Sequence, residues 1–217
     1  PDMRPLDALG AAAYVIVECV PAAHFETVAR PVLEQGKTFM PLSVGALLNH
    51  MDLVDVAREH GGRIIVPTGA LIGLDAVRAA ASGGIKTVKL TTRKPPGGLM
   101  DAPYVVENGI NLEGLNEAKK LFSGSAREAA KGFPANLNVG VALSLAGVGP
   151  DETTVEIWAD PAVNRNIQSV EVTSECGDFS MSIQNIPSEE NPRTGKITAH
   201  SVIAALQRMT DPLVAGS

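Results

Sequence analysis

The sequence predicts an α/β protein, in which part of a doubly wound parallel sheet is followed by an α+β domain. Strand-like and helix-like segments alternate with short connections as far as residue 66, as in successive βαβ units. Beyond residue 75 the alternation ends, and three segments with period-two apolar residues follow one another towards the C-terminus. With 217 residues, 45% of them apolar, the chain can bury a core as one large domain or two small ones.

The stretch Arg63–Asp75 (RIIVPTGALIGLD) joins the two parts. Its β-branched run stops at Pro67, and a helix-like segment, Leu74–Ala81, begins after a turn. Ligands of open α/β sheets bind just beyond the carboxyl ends of the strands. We therefore expect chemistry at the turn Thr68–Ala70.

The other elements follow from apolar spacing and turn residues. The first part is predicted to contain strands at Ala11–Val20, Thr38–Leu42 and Arg63–Val66, helices at Ala22–Glu34 and Ala46–His60, and a turn at Ser43–Gly45. The second part is predicted to contain strands at Ile85–Thr92, Ala118–Phe122, Thr153–Ala159, Ile167–Thr173 and Phe179–Ile186, helices at Ser125–Lys131, Asn136–Gly147 and Lys196–Arg208, and loops over Arg93–Pro103 and Tyr104–Asn116. The last three strands are expected to form a meandering sheet with helices on one face.

Composition excludes several classes of function. The net charge is −6 and there is no basic cluster, which argues against nucleic acid or an anionic membrane as a partner. Two cysteines cannot build a disulfide framework or a zinc site, which fits a reducing cytoplasm and predicts no metal. The chain starts at Pro1, and no glycine-rich phosphate turn precedes Ala11, so the first βαβ unit of a nucleotide fold is expected to be missing.

Seven motifs, in order along nearly the whole chain, resemble those of the bacterial and archaeal L-aspartate dehydrogenase family. They are SVGAL at Ser43–Leu47, PTGALIGLDA at Pro67–Ala76, TRKPP at Thr92–Pro96, GSAREAA at Gly124–Ala130, FPANLNV at Phe133–Val139, ADP at Ala159–Pro161 and NPRT at Asn191–Thr194. The resemblance implies a Rossmann domain followed by a dihydrodipicolinate-reductase-like α+β domain for catalysis and dimerisation. It also implies reversible oxidation of L-aspartate to iminosuccinate with NAD or NADP, which feeds NAD biosynthesis or yields oxaloacetate and ammonia.

The resemblance, the turns at the strand ends and the needs of a dicarboxylate substrate together predict three domain segments and a set of site residues. The nicotinamide contacts at Ala70 and Asn138 are implied by the resemblance. Residues 1–72 are the C-terminal part of the NAD(P)-binding domain, 73–192 the catalytic and oligomerisation domain, and 193–217 a C-terminal helix expected to pack back on the nucleotide-binding domain. The cofactor is expected at Ser43, Gly45, Ala46, Gly69, Ala70 and Asn138, and the substrate at Thr68, Asn166, Arg193 and Thr194. Three of these residues could instead have purely structural roles. Ala70 could be a small residue that a tight turn requires, Asn138 a helix cap, and Thr194 the N-cap of the last helix.

The chain departs from the family where the catalytic histidine of an N-x-H motif is expected. The stretch reads Asn166-Ile167-Gln168, so Gln168 occupies the catalytic position. A carboxamide can hydrogen-bond a substrate, but it cannot accept and return a proton near neutral pH. Gln168 is therefore expected to position substrate or water while another group, or water itself, moves the proton.

Other polar residues are candidates for the same cleft, which we expect Ala46, Ala70, Asn138 and Gln168 to share. A dicarboxylate requires cationic or amide donors, and the candidates are Arg93, Lys94, Arg165 and Arg193, each of which could instead be a solvated surface charge. Among the histidines, His24, His50 and His60 are expected to be solvated or packed, whereas His200 could face the pocket.

A homodimer is expected, because a three-stranded sheet with one helix layer leaves one face open, and soluble domains seldom leave a large apolar face exposed. Val155, Ile157 and Trp158 could form this apolar face. Two alternatives to aspartate oxidation stay open. The chain could be a weakly active or inactive relative with a binding or structural role, or a dehydrogenase of another small amino or imino acid.

Overall fold

The computed structural model describes residues 13–191 and 194–216. The chain divides into two compact units, and the division falls between Pro67 and Thr68. Unit 1 precedes this point and unit 2 follows it, and each is described separately below. No helix in the part of the chain that the structure describes is long and apolar enough to cross a membrane.

Unit 1 contains a parallel three-stranded sheet in the order β1-β2-β3. Its elements are β1 (Val15–Glu18), α1 (Phe25–Glu34), β2 (Thr38–Pro41), α2 (Val44–Leu47), α3 (Leu53–His60) and β3 (Arg63–Ile64). The predicted βαβ pattern is confirmed. Helix α1 buries the apolar residues that recur at helical spacing along its sequence, namely Phe25, Val28, Ala29, Val32 and Leu33.

The single helix predicted over Ala46–His60 is wrong, because the segment contains two helices separated by a turn. The amide of Leu53 donates to the carbonyl of His50, so the chain turns here instead of continuing α2. His50 lies in this break and stacks on Phe25, with ring centroids 5.8 Å apart. The apolar spacing did not reveal this interruption.

Unit 2 contains a mixed five-stranded sheet in the order β5-β6-β4-β7-β8. Its elements are α4 (Leu74–Gly83), β4 (Ile85–Lys94), α5 (Pro103–Glu107), β5 (Lys119–Ser125), α6 (Ala126–Gly132), α7 (Asn138–Ala146), β6 (Thr153–Ala159), β7 (Ile167–Ser174), β8 (Phe179–Gln184) and α8 (Ile197–Arg208). The predicted three-stranded meander is wrong, because β4 lies between β6 and β7, parallel to the first and antiparallel to the second. The parallel pair needs a long crossover, which contains α5, α6 and α7.

All four helices predicted in unit 2 are confirmed, and one further helix was missed. Ser125 caps α6 in a capping box, where its hydroxyl accepts from the amide of Glu128 and its own amide donates to the Glu128 carboxylate. Helix α7 is buried at six consecutive positions from Val139 to Ser144, as its lack of charge predicted. Helix α5 occupies part of a predicted loop and begins at Pro103, whose fixed φ suits a first helical turn.

The predicted apolar open face of the sheet is also wrong. Val155 and Ile157 are fully buried, because they point towards the layer that contains α6 and α7. Trp158 lies on the opposite face, where the guanidinium of Arg93 lies 4.7 Å from its ring centroid and the ammonium of Lys120 lies 5.6 Å from it. The outer face of the sheet is therefore mainly polar and charged, with one aromatic ring between two cations.

Candidate active site

The turn Thr68–Ala70 is held by side chains from two distant elements of unit 2. The amide of Asn185, directly after β8, donates to the carbonyl oxygen of Ala70 at 3.0 Å. The hydroxyl of Ser201, on α8, accepts from the amide of Gly69 at 3.0 Å. Gly69 has φ of +68°, a conformation that favours glycine. The shape of the turn Thr68–Ala70 therefore depends on one glycine and on two long-range hydrogen bonds.

Unit 2 also contains a cavity of about 250 Å³. Asn185, which holds the turn at Ala70, is one of its lining residues. That is close to the lower end of the range for small-molecule sites, so it suits a small metabolite better than a whole dinucleotide. The cavity is lined by the end of β4, the segments around residues 97–103 and 133–135, the loop before β7, and the chain on both sides of the bridge between Pro187 and Gly195.

Polar and charged side chains converge on this cavity. They are Lys94, Asp101, Asn164, Arg165, Asn166, Asn185 and Thr194. Lys94 and Arg165 are cations, and three of the others are carboxamides, which can donate hydrogen bonds to carboxylate oxygens. The donor set of this wall therefore fits a small, negatively charged ligand.

Lys94, the last residue of β4, is buried with only 7% of its surface exposed. The surface-charge alternative for Lys94 is therefore wrong. Burial lowers the pKa of its ammonium from 10.5 to about 8, because removal from water penalises the charged form. Near neutral pH, Lys94 can exchange a proton far more readily than an exposed lysine.

Asn185 contributes a second buried polar group. It is 4% exposed, and its Oδ1 atom has no hydrogen-bond partner among the groups described by the structure. Its Nδ2 atom donates to Ala70, which fixes the orientation of the amide. A Cβ atom at Gly195 would lie 2.6 Å from Oδ1, so a larger residue there would force the Asn185 side chain to shift. Asn185 therefore connects the cavity wall to the turn at Ala70.

Gln168, which was predicted to occupy the catalytic position, is 3% exposed and lies on β7 directly opposite Thr92 of β4. The Thr92 hydroxyl donates to its Oε1 at 2.6 Å. Lys94 follows Thr92 by two residues, so it lies on the same face of the sheet and diagonally across from Gln168. Thr92, Gln168 and Lys94 therefore form a buried polar cluster at one end of the two strands.

In unit 1, a buried carboxylate organises the carboxyl ends of β1 and β2. Glu18 is 1% exposed and accepts hydrogen bonds from the amides of Val20 and Ser43, at 2.7 and 3.1 Å, and from the Ser43 hydroxyl at 3.1 Å. The same hydroxyl lies 3.0 Å from the carbonyl of Val20. Ser43 thus joins two strand ends. The next predicted cofactor residues, Gly45 and Ala46, are small, so this edge fits a dinucleotide, which binds at such strand ends.

The structure brings together only some of the predicted site residues. Asn166, Thr194, Lys94 and Arg165 line the cavity, whereas Ala70, Asn138, Gln168 and His200 are not among its lining residues. Asn138 is exposed at the start of α7, and His200 is exposed on α8. Ala46 belongs to unit 1 and Arg193 lies outside the described residues.

The helix-cap alternative for Thr194 was also wrong, and three polar residues were missed. The N-cap of α8 is Lys196, so Thr194 does not cap that helix. Glu18, Asn185 and Ser201 were not predicted to matter. A carboxylate inside an apolar run should have identified Glu18, since a buried charge needs partners. Asn185 and Ser201 gave a weaker signal, because their partners lie 115 and 132 residues away.

Taken together, the parallel sheet of unit 1 and the mixed sheet of unit 2 define a two-domain dehydrogenase. Residues 1–67 match the NAD-binding domain of homoserine dehydrogenase, and residues 75–209 match the C-terminal domain of aspartate dehydrogenase. The cofactor is therefore NAD or NADP. The chain belongs to the aspartate dehydrogenase family.

Individual relatives agree with this assignment. The chain is 58% identical over 217 residues to L-aspartate dehydrogenase of Bradyrhizobium diazoefficiens, covering 100% of this chain and 77% of the relative. It is 42% identical over 206 residues to L-aspartate dehydrogenase of Methanosarcina mazei, covering 94% of this chain and 76% of the relative. The crystal structure of aspartate dehydrogenase from Thermotoga maritima superposes with a TM-score of 0.78 at 25% identity, covering 100% and 82% of the two chains.

Proposed function

We propose that the protein catalyses the reversible NAD(P)-dependent oxidation of L-aspartate to iminosuccinate. The observation that carries this proposal is the 58% identity over all 217 residues to an L-aspartate dehydrogenase. The cavity supports it, because a dicarboxylate needs a cation and amide donors, which Arg165, Asn164 and Asn166 supply. Iminosuccinate would feed NAD biosynthesis in the cytoplasm or hydrolyse to oxaloacetate and ammonia.

The residues have separable tasks in this reaction. When bound, the nicotinamide ring supplies a hydride acceptor. Arg165 and the carboxamides of Asn164 and Asn166 would hold the substrate carboxylates, which fixes the Cα–H bond for transfer. Asn185 would keep the turn at Ala70 in place beside the cavity wall. Gln168 would act as a neutral, buried support whose carbonyl is already engaged by Thr92.

The decisive experiment measures NAD(P)H formation from L-aspartate by the complete protein, with oxaloacetate and ammonia quantified as products. Glutamate, alanine, asparagine and malate serve as comparison substrates with each dinucleotide. Turnover of aspartate with the highest kcat/KM supports the proposal. Preferred turnover of another amino acid would instead make the protein a dehydrogenase of that substrate, and binding of dinucleotide without any turnover would indicate an inactive relative.

A homodimer is part of the proposal. The outer face of the unit 2 sheet presents Trp158 between Arg93 and Lys120, and tryptophan and arginine are enriched at protein interfaces. Light scattering of the wild type and of Trp158→Ser tests the assembly. A dimer that weakens on substitution supports this surface as the interface, and a monomeric wild type would contradict the dimer.

A further inference from the structure

Lys94 is unusual because it is a lysine that is buried in a cavity wall. Lysine is almost never fully buried, yet Lys94 is 7% exposed and contributes to the wall of the unit 2 cavity. It ends β4, where the strand meets the turn that starts at Pro95. A buried ammonium costs stability, and here the buried ammonium belongs to a residue that lines the candidate substrate site.

The charged groups around Lys94 can be named from each neighbouring element. Arg165, in the loop before β7, and Asp101, before α5, line the same cavity. Asp160 follows β6, but its carboxylate is engaged by Arg93 at 3.2 Å and by the amide of Ala162 at 2.9 Å. The dominant influence on Lys94 is its burial, which brings its pKa to about 8.

We propose that Lys94 is the catalytic residue that accepts the proton from the substrate ammonium group. This inference rests on the proposed oxidation of aspartate. Neutral Lys94 takes one proton from the ammonium of aspartate, which frees the nitrogen lone pair. The free lone pair is what the C=N bond of the iminium requires when the Cα–H bond loses its hydride, which a bound nicotinamide ring would accept. Lys94 afterwards releases its proton to water.

The other groups suit this step less well. Gln168 has no proton to exchange at neutral pH, and the guanidinium of Arg165 stays charged. Asp101, the carboxylate among the described lining residues of the cavity, is exposed to solvent, whereas Lys94 is buried. A lysine whose pKa is brought to 7–8 is the kind of base that enzymes use. Its diagonal neighbour across the strands is Gln168, whose Oε1 atom accepts a hydrogen bond from Thr92.

The test compares three variants of the complete protein over pH 6 to 10. Lys94→Met removes the amine, and Lys94→Arg keeps a positive charge that does not titrate. Lys86→Met is the control, because Lys86 lies on the same strand and is 55% exposed. We expect wild-type kcat/KM for aspartate to rise through a pKa near 8. Both Lys94 variants should lose about 10²- to 10⁴-fold in kcat and lose that rise, while the control should retain both.

A role of Lys94 as a carboxylate anchor gives a different result. Lys94→Arg would then keep kcat and the pH profile, and Lys94→Met would mainly raise KM, which would overturn the proposal. Chemical rescue adds a direct readout, since methylamine should restore turnover of Lys94→Ala in proportion to its free-base concentration. Circular dichroism establishes that each variant is folded, and a Lys94→Gln variant replaces any that is not.

The absence of aspartate turnover in the wild type would overturn the proposed function. The titration of Lys94 can still be measured in that case, because it does not depend on activity. In protein labelled with [ε-¹³C]lysine, the resonance missing from Lys94→Arg should titrate near pH 8 and shift when succinate is added. Titration near pH 10, or no response to succinate, would overturn the assignment of Lys94 as the proton acceptor.

Discussion

The side-chain amide of Asn185 donates a hydrogen bond to the carbonyl oxygen of Ala70 at 3.0 Å, although 115 residues separate them. Asn185 also lines the unit 2 cavity, and Ala70 closes the turn that leads towards α4. One side chain thus connects the wall of the candidate substrate site to a predicted contact of the nicotinamide ring. The geometry of that turn should depend on Asn185 more than on its own sequence.

Replacement of Asn185 by alanine should release the turn. The variant loses a buried hydrogen bond, and we expect a loss of about 1–2 kcal/mol in the free energy of unfolding. We also expect KM for the dinucleotide to rise more than KM for aspartate. Asn108→Ala is a matched control, because Asn108 makes the same kind of bond to the carbonyl of Tyr104 at 2.8 Å but is exposed. Equal effects in chemical denaturation would contradict a special role for Asn185.

Ser201→Ala should disturb the same turn from its other side. Ser201 donates to the carbonyl of Thr198 and also accepts from the amide of Gly69, whereas Ser82 on α4 only donates to the carbonyl of Ala79. Hydrogen exchange at Gly69 should therefore accelerate in Ser201→Ala and stay unchanged in Ser82→Ala. In a double-mutant cycle with Asn185→Ala, we expect a coupling energy of at least ~0.5 kcal/mol, and strict additivity would show that the two contacts act independently.

Local signals predicted most elements but not their arrangement. Apolar spacing identified the buried face of α1, and the pair Ser125 and Glu128 identified the start of α6, because these features depend on neighbours three or four residues away. The central position of β4 was missed, since the parallel pairing of β4 with β6 depends on a crossover of almost sixty residues and on no local pattern.

The candidate site was predicted only in part for the same reason. Lys94 and Asn166 could be proposed because they lie at strand ends and in family motifs. The burial of Lys94 and the contact between Asn185 and Ala70 depend on segments that are distant in sequence. Glu18 was missed for another reason, because its run was interpreted as uniformly apolar although it contains a carboxylate.

Glu18→Gln should destabilise unit 1. The carboxylate of Glu18 accepts three hydrogen bonds, from Val20 and from the amide and hydroxyl of Ser43, whereas a carboxamide has only one accepting oxygen. We expect a loss of about 2–3 kcal/mol in the free energy of unfolding and weaker dinucleotide binding. Glu34→Gln, at the exposed end of α1, should change neither. Thermal unfolding and fluorescence titration with NAD(P)H measure both quantities, and similar results for the two variants would count against this account.

The stability of Lys94→Met should depend on pH in a definite direction. The pKa of Lys94 is about 8 in the folded protein and 10.5 ordinarily, so the unfolded chain binds more protons between these values and wild-type stability rises with pH across that window. Below pH 8 the buried charge costs about 3 kcal/mol, which methionine avoids. Lys94→Met should therefore unfold at a higher temperature than the wild type at pH 7, with the difference closing towards pH 10.5. An advantage that is independent of pH would mean that packing, not charge, is responsible.

Gln168→His tests whether a proton acceptor can work at the position where the sequence predicted a catalytic histidine. Histidine there would lie diagonally across from residue 94, and Thr92 could still donate to one ring nitrogen. In the wild-type background we expect a modest rise in aspartate oxidation, because Lys94 already moves the proton. In the Lys94→Met background, the added histidine should raise kcat at least tenfold over Lys94→Met alone. This kcat should increase with pH around the ordinary histidine pKa of about 6.5. No gain in either background would separate Gln168 from the reacting groups and leave it a structural partner of Thr92.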